Sequence, residues 1–124
     1  MIKRSGSYGG ILHEVVEHND TLYLAGLVAE DLAQDMSGQA EDVMKQLNTL
    51  LSAHESTLRH VLQATIYLSD LALKPGFDEV WKRWVAAEHL PARTGIGVAD
   101  LGKGVLLEMV VIAAKSSTAM PSRS

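Results

Sequence analysis

The 124-residue sequence contains no cysteine, only three prolines and only six aromatic side chains. The absence of cysteine excludes a disulfide framework, a thiolate nucleophile and a cysteine-ligated metal site. The scarcity of aromatic rings and the formal net charge of -4 argue against a nucleic-acid surface, which needs basic side chains and stacking platforms. We therefore expect no nucleic-acid partner.

Long apolar runs are also missing. The longest run, from Val105 to Ala114, is far shorter than the roughly 18 residues that a transmembrane helix needs, and MIKRSGSYGG lacks the apolar segment of an export signal. We expect a cytoplasmic protein without a membrane partner. Its 47% apolar and 21% charged residues are typical of a folded chain, so residues 1–115 are expected to form a single domain and residues 116–124 a disordered tail.

Hydrophobic periodicity predicts an α+β fold with the element order ββαβαββ. Helices are expected from Gln39 to His54 and between Pro75 and Pro91, and strands over residues 13–18, 21–27, 61–68, 92–101 and 105–115. Turn signals at Asn19-Asp20 and at Gly102-Lys103-Gly104 predict two hairpins. Two such helices can cover one face of a single sheet.

The strands at residues 61–68 and 105–114 are apolar at both alternating positions. Such strands are usually covered on both faces of their sheet. Because two helices cover only one face, we expect another copy of the chain to cover the other face.

Glu108 is the one carboxylate inside the apolar run from Val105 to Ala114. An ionised carboxylate is costly to bury without a partner, so Glu108 is a candidate catalytic residue, a charge satisfied at a subunit interface, or a solvent-facing side chain. In the predicted second hairpin Glu108 lies across from Val98, about five residues or 16 Å along the strand from Arg93. A direct ion pair is therefore not expected, and the two groups would enclose a small ligand or come from neighbouring chains.

Arg93 follows Pro91-Ala92 and shares its strand parity with Gly95 and Gly97. A planar guanidinium can hold a carboxylate through two parallel hydrogen bonds, although a rim salt bridge explains the residue equally well. Glycines within a strand mark either close approach by a ligand or tight packing against another part of the chain.

Other site signatures are missing. The five histidines show no metal-binding spacing, no serine lies in a nucleophile elbow, and Gly102-Lys103-Gly104 is too short for a phosphate loop. We expect no metal and no cofactor. Trp81 and Trp84 lie on the apolar stripe of the second helix, which favours the core over ligand stacking.

The sequence resembles the RidA/YjgF family of reactive intermediate deaminases over about residues 13–115. The most specific likeness is PARTGIGVADLGKGVLLEMVVIAA, followed by FDEVWKRWV and LYLAGLVAED. The resemblance implies a chorismate mutase-like α+β fold, with two helices on one face of a single sheet, and a homotrimer with ligand clefts between subunits.

By the same resemblance, Arg93 would hold a substrate carboxylate and Glu108 would orient the water that attacks an imine carbon. Leu12 stands where the family has its cleft tyrosine, Ala25 where it has a serine, and Gly95 where it often has cysteine or threonine. These three positions are expected to border the substrate.

Three functions remain open at this point. The first is hydrolysis of 2-imino or enamine acids to 2-keto acids and ammonia. The second is non-catalytic binding or sensing of a small carboxylate metabolite in the same cleft, which the replacement of the tyrosine and serine by Leu12 and Ala25 would suit. The third, endoribonuclease activity, is disfavoured by the acidic charge.

Overall fold

The computed structural model describes residues 1–116, so the expected tail, apart from Ser116, lies outside the described residues. Six strands form one sheet in the order β1-β2-β3-β6-β4-β5, and two helices pack on one of its faces. This arrangement confirms the predicted α+β fold. The strands are β1 Lys3–Tyr8, β2 Leu12–His18, β3 Thr21–Leu24, β4 Val61–Leu68, β5 Ala92–Gly97 and β6 Leu107–Ala114, and the helices are α1 Met36–Ala53 and α2 Lys74–Trp84.

An additional strand, β1, precedes the predicted order. It pairs antiparallel with β2 through a three-residue connection of Gly9, Gly10 and Ile11. The φ angles of Gly9 and Gly10, 60° and 68°, lie in the left-handed region that glycine adopts without steric cost. All six residues of β1 are exposed, and their sequence, KRSGSY, does not alternate between apolar and polar side chains. The sequence pattern therefore could not predict it.

The first predicted hairpin is confirmed, and the second is wrong. β2 and β3 pair around Asn19 and Asp20, whose φ angles are 52° and 59°. β5 and β6, however, are not neighbours, because β4 lies between them, parallel to β5 and antiparallel to β6. β6 is apolar at both alternating positions and gains most from a central place, whereas the glycine-containing β5 buries little there and forms an edge.

The two helices bury their apolar stripes against the sheet. α1 begins at the N-cap Asp35, whose side chain accepts a hydrogen bond from the amide of Gly38 at 2.9 Å, a standard way to satisfy a free helix donor. Its buried apolar residues are Met36, Ala40, Val43, Met44, Leu47 and Leu51. α2 has Pro75 in its first turn and buries Phe77, Val80 and Trp81.

The two faces of the sheet differ in burial. In β6, Leu107, Met109, Val111 and Ala113 are buried under the helices, whereas Glu108, Val110, Ile112 and Ala114 are only partly buried. Val110 lies beside Thr65, and Ile112 lies beside Tyr23, which is 43% exposed. The helix-free face is therefore largely apolar and uncovered within one chain.

Candidate functional site

Glu108 lies near the start of β6, on the helix-free face of the sheet. It is only partly buried, and across β4 its neighbour is Tyr67. Within residues 1–116, no hydrogen bond or ion pair engages its carboxylate. The carboxylate is therefore available for contacts with a ligand, with solvent or with another subunit.

Gly26 explains how this carboxylate is accommodated. A β-carbon built at position 26 would overlap Oε2 of Glu108 and lie 2.9 Å from its carboxyl carbon. Gly26 has no positive φ angle, so its backbone does not require glycine. The absence of a side chain at position 26 therefore makes room for the Glu108 carboxyl group.

Glu108 borders a wide groove of about 1210 Å³. Leu12 and Ala25, the two positions where the resemblance placed a tyrosine and a serine, line the same groove. Its charged lining consists of six carboxylates and one lysine: Glu14, Glu30, Asp31, Glu41, Asp42, Glu108 and Lys45. The groove therefore has a strongly acidic wall.

Tyr8 also lines this groove, and sequence reasoning missed it. It lies opposite Leu12 in the β1–β2 hairpin, and the residue is 66% exposed. The phenol that the sequence pattern lacks at position 12 is thus present on the neighbouring strand. Only the pairing of β1 with β2 reveals this, because β1 has no sequence signal.

Arg93 lies on β5 at a different place, on the helix face of the sheet. Its Nη2 donates a hydrogen bond to Oδ1 of Asp78 in α2. Its guanidinium carbon lies 5.3 Å from the ring centroid of Phe77 and 5.1 Å from that of Trp81, within the range of cation–π attraction. The salt-bridge reading of Arg93 is thus observed, but with a partly buried partner on α2.

A second, smaller cavity of about 370 Å³ surrounds this arginine. It is lined by Lys74, Asp78, Trp81, Lys82, Leu90, Arg93 and Gly95. Three of these side chains are cationic and one is anionic. The cavity at Arg93 is therefore basic, opposite in charge to the groove at Glu108.

Gly95 and Gly97 allow part of the chain to pack onto β5. A β-carbon at position 95 would lie 3.3 Å from Cε of Lys74, and one at position 97 would lie 3.5 Å from Cβ of Leu71. Of the two readings left open by the sequence, tight packing is the one observed. At Gly95 this packing brings the stem of Lys74 beside the arginine site.

Asp78 remains ionised between its two cationic partners. Burial acts to raise its pKa, but hydrogen bonds from Arg93 and Lys74 outweigh this effect and hold the pKa below its ordinary value of 3.8. The carboxylate therefore keeps its charge at neutral pH.

Arg93 and Glu108 do not meet within one chain. Arg93 pairs with Ala64 of β4, whereas Glu108 pairs with Tyr67. Because Ala64 and Tyr67 are three residues apart on one strand, their side chains point to opposite faces. The predicted placement of both groups along one hairpin is therefore wrong, and a single chain cannot bring them into one cleft.

Gln39 is a second residue that sequence reasoning missed. It is fully buried, its Nε2 donates to the carbonyls of Gln34 and Gly104 at 3.0 and 2.9 Å, and its Oε1 accepts from the amide of Leu106 at 3.1 Å. These bonds hold the segment that leads into β6 and to Glu108. Its signal in the sequence is an amide on the apolar stripe of α1, between Met36 and Val43.

Residues 1–116 contain neither a metal-binding cluster nor a helix that could span a membrane. That part of the chain contains no cluster of three or more histidine, aspartate or glutamate side chains that could hold a metal ion. None of its helices has the length and apolar character needed to cross a bilayer.

Comparisons with known proteins agree with the fold and with the resemblance. The chain is 32% identical over 101 residues to the RutC family protein YoaB of Escherichia coli, with 82% of this chain and 88% of YoaB covered. A solved structure of a YjgF family member from Neisseria meningitidis superposes with a TM-score of 0.86 at 30% identity, covering 94% of this chain and 96% of that one. An uncharacterised protein from Pseudomonas aeruginosa superposes with a TM-score of 0.88 at 26% identity, covering 94% and 100%.

The sequence profile described as Endoribonuclease L-PSP matches residues 4–115, nearly all of the part that the structure describes. Together with the relatives from the RutC and YjgF families, this match shows that the chain belongs to the RidA/YjgF family.

Proposed function

We propose that the protein hydrolyses small 2-imino or enamine acids to 2-keto acids and ammonia in clefts between the subunits of a homotrimer. The observation that carries this proposal is the carboxylate of Glu108, which is partly buried, has no partner within residues 1–116 and borders an open groove. A carboxylate in that situation can position and deprotonate a water molecule.

Arg93 would hold the substrate carboxylate from the neighbouring subunit. Arg93 and Glu108 lie on opposite faces of one sheet, so a cleft that uses both must draw them from two chains. The opposite charges of the two sites support this, because the basic cavity of one subunit would complement the acidic groove of the next. The uncovered apolar face of the sheet supports self-association as well.

The chemistry requires little besides these two groups. Glu108 would accept a proton from the attacking water as its oxygen adds to the imine carbon. The same proton would then pass to the nitrogen, which gives a carbinolamine. Glu108 would next take the proton of the new hydroxyl group and pass it to the nitrogen, so that the C–N bond breaks, ammonia leaves and the carbonyl of the 2-keto acid forms. Arg93 would keep the substrate carboxylate in place throughout, and no cofactor takes part.

The second candidate is a protein that binds the same carboxylate metabolites without converting them. Leu12 and Ala25 favour it, because both line the groove and offer no side-chain hydrogen bond to a substrate. An endoribonuclease activity, which the name of the matching family profile suggests, is disfavoured by the six carboxylates of the groove, which would repel a phosphate backbone. We expect neither a nucleic-acid nor a membrane partner, and we propose a cytoplasmic location.

The proposed reaction is tested by generating imines in situ with an amino-acid oxidase and recording the formation of 2-keto acid. Glu108→Gln keeps the size of the side chain but removes its charge, so turnover should fall by roughly 10²-fold while the affinity for 2-keto acids hardly changes. Arg93→Ala should abolish the thermal stabilisation that 2-keto acids give the wild-type protein.

Two outcomes would contradict this assignment. If the wild-type protein is no faster than buffer with several amino-acid-derived imines, the binding protein is the correct reading. If Glu108→Gln leaves activity unchanged and stability equal or higher, Glu108 is only a partly buried structural charge.

A further inference from the structure

Asp78 already occupies part of the arginine site with a carboxylate of its own. Its Oδ1 accepts a hydrogen bond from Nη2 of Arg93, and its Oδ2 accepts one from Nζ of Lys74 at 3.0 Å. The side chains of Asp78 and Arg93 are only 26% and 20% exposed, so water screens this contact less than it would on an open surface. A ligand carboxylate bound at Arg93 would therefore have a second carboxylate beside it.

The site nevertheless keeps some capacity for an anion. Two cations, Lys74 and Arg93, share the single charge of Asp78, which leaves one positive charge uncompensated. A guanidinium has five N–H donors, and within residues 1–116 only Nη2 of Arg93 has an acceptor. Lys82, the third cation of the cavity, lies 3.8 Å from Glu79, which offsets its charge.

From this arrangement we propose that Asp78 is a specificity-determining residue, which restricts the arginine site to ligands with a single carboxylate. The inference rests on the proposed function, in which Arg93 binds the carboxylate of the substrate. A monoanion would compensate the one free positive charge. A second anionic group on the ligand would find no unpaired cation and would be repelled by Asp78.

The selectivity should hold over the whole neutral pH range. Because Arg93 and Lys74 keep the pKa of Asp78 below its ordinary value, against the opposing effect of burial, the repelling charge persists wherever the protein is folded at neutral pH. The expected substrates are therefore 2-imino acids with uncharged side chains, and the imines derived from aspartate and glutamate are disfavoured.

The test compares two ligands of similar size by isothermal titration calorimetry at fixed ionic strength. 2-Oxopentanoate has one carboxylate, whereas 2-oxoglutarate has a second carboxylate in place of the terminal methyl group. The wild-type protein should bind 2-oxopentanoate about tenfold more tightly, or more. Asp78→Asn, which keeps the shape of the side chain, should reduce this preference about tenfold by improving the binding of the dianion.

Glu79→Gln is the matched control, because it removes one negative charge from the same helix at a side chain that is 71% exposed. It should keep the preference of the wild-type protein. Circular dichroism verifies that each variant is folded, and Asp78→Ser replaces Asp78→Asn if the asparagine variant is not.

The possible negative results distinguish a wrong role for Asp78 from a wrong proposed function. If binding is abolished by Arg93→Ala but the preference for the monoanion is the same in the wild-type protein and Asp78→Asn, the inference is overturned and the proposed function stands. If Asp78→Asn weakens the binding of both ligands, Asp78 orients Arg93 instead of restricting it, which also overturns the inference. If neither the wild-type protein nor any variant binds either ligand, both proposals are overturned.

Discussion

The carboxyl group of Glu108 lies in the space that a β-carbon at position 26 would occupy. Gly26 lies just after β3 and Glu108 lies near the start of β6, so two segments that are far apart in sequence are in contact here. The two segments are also joined by backbone, since Leu27 and Met109 exchange hydrogen bonds at 2.8 and 3.0 Å. The backbone pairing fixes where Glu108 lies, and Gly26 leaves it the room.

Gly26→Ala should therefore lower activity more than stability. The added methyl group would displace the flexible end of Glu108, and misplacing a catalytic group by about 1 Å can cost about 10²-fold in rate. The free energy of unfolding should change by less than about 1 kcal/mol, as measured by urea denaturation.

Gly76→Ala is the control for this substitution. Its β-carbon would meet Cγ of Met36 at 3.4 Å, an ordinary contact, and alanine is favoured over glycine in a helix by up to about 1 kcal/mol. It should leave activity unchanged. If Gly26→Ala is also fully active, the close approach of Glu108 to Gly26 has no role in the reaction.

Gln39→Ala should destabilise the protein by about 3 kcal/mol, because it leaves the buried amide of Leu106 and the carbonyls of Gln34 and Gly104 without partners. Urea denaturation would measure the change. Asn48→Ala, on the exposed side of the same helix, should change the free energy of unfolding by less than about 0.5 kcal/mol. Equal losses in the two variants would mean that water replaces the Gln39 amide.

Acid should weaken the contact between the two helices. Oε2 of Glu41 accepts from Nη2 of Arg83 at 2.8 Å, and its Oε1 accepts from Nε1 of Trp84 at 2.9 Å. These hydrogen bonds hold the pKa of Glu41 below its ordinary value of 4.5, and the bond from Arg83 has the larger effect. A carboxyl group with a lowered pKa in the folded state stabilises the protein above its unfolded pKa, and this contribution is lost as the pH falls through the folded pKa.

The measurement is urea denaturation at pH 7 and at about pH 3.5, for the wild-type protein and for Glu41→Gln. Since the side chain of Glu41 is 42% exposed, solvent screening limits the expected difference in acid sensitivity to about 0.5 kcal/mol. The wild-type protein should lose more stability on acidification than the variant. Identical losses would show that the contact with Arg83 and Trp84 contributes nothing that depends on pH.

The sequence predicted the elements whose burial alternates or repeats with a helical period. A strand is expected over residues 61–68 and forms β4, and the second helix is expected to begin at Pro75 and begins at Lys74. The exposed β1 has no such period, so Tyr8 could not be placed beside Leu12.

Strand order was harder to predict than the strands themselves. The turn at Gly102-Lys103-Gly104 suggested that β5 and β6 pair. In the observed sheet β6 instead pairs with β3 and β4, and this interior position buries more of β6 than a hairpin at the sheet edge would. The same strand order separates Arg93 from Glu108, because β4 lies between the two strands that carry them. The identities of the two candidate residues were accessible from the sequence, and their geometry depended on long-range pairing.

Self-association should be visible by light scattering at micromolar concentration, with a mass near that of three chains. The reason is the apolar helix-free face, which includes Val110 and Tyr23 and is uncovered in one chain. Val110→Asp should give a monomer, because it places a charge in the expected interface, whereas Asn48→Asp on the exposed side of α1 should keep the oligomer. If the wild-type protein is a monomer, the expected trimer and the expected cleft between subunits are both wrong.

The division of the site between chains is tested most directly by mixing Arg93→Ala with Glu108→Gln. Each variant alone lacks one group in every cleft, so both should be inactive. In trimers refolded from an equal mixture, about a quarter of the clefts should combine an intact Arg93 from one chain with an intact Glu108 from the next. Activity should therefore return to about a quarter of the wild-type rate in the imine assay. The control mixes the wild-type protein with the double variant. In this mixture every intact Arg93 and Glu108 belongs to a wild-type chain, so its activity is the reference for the mixture of single variants. If the two single variants do not complement each other while this control is active, Arg93 and Glu108 do not act together across an interface.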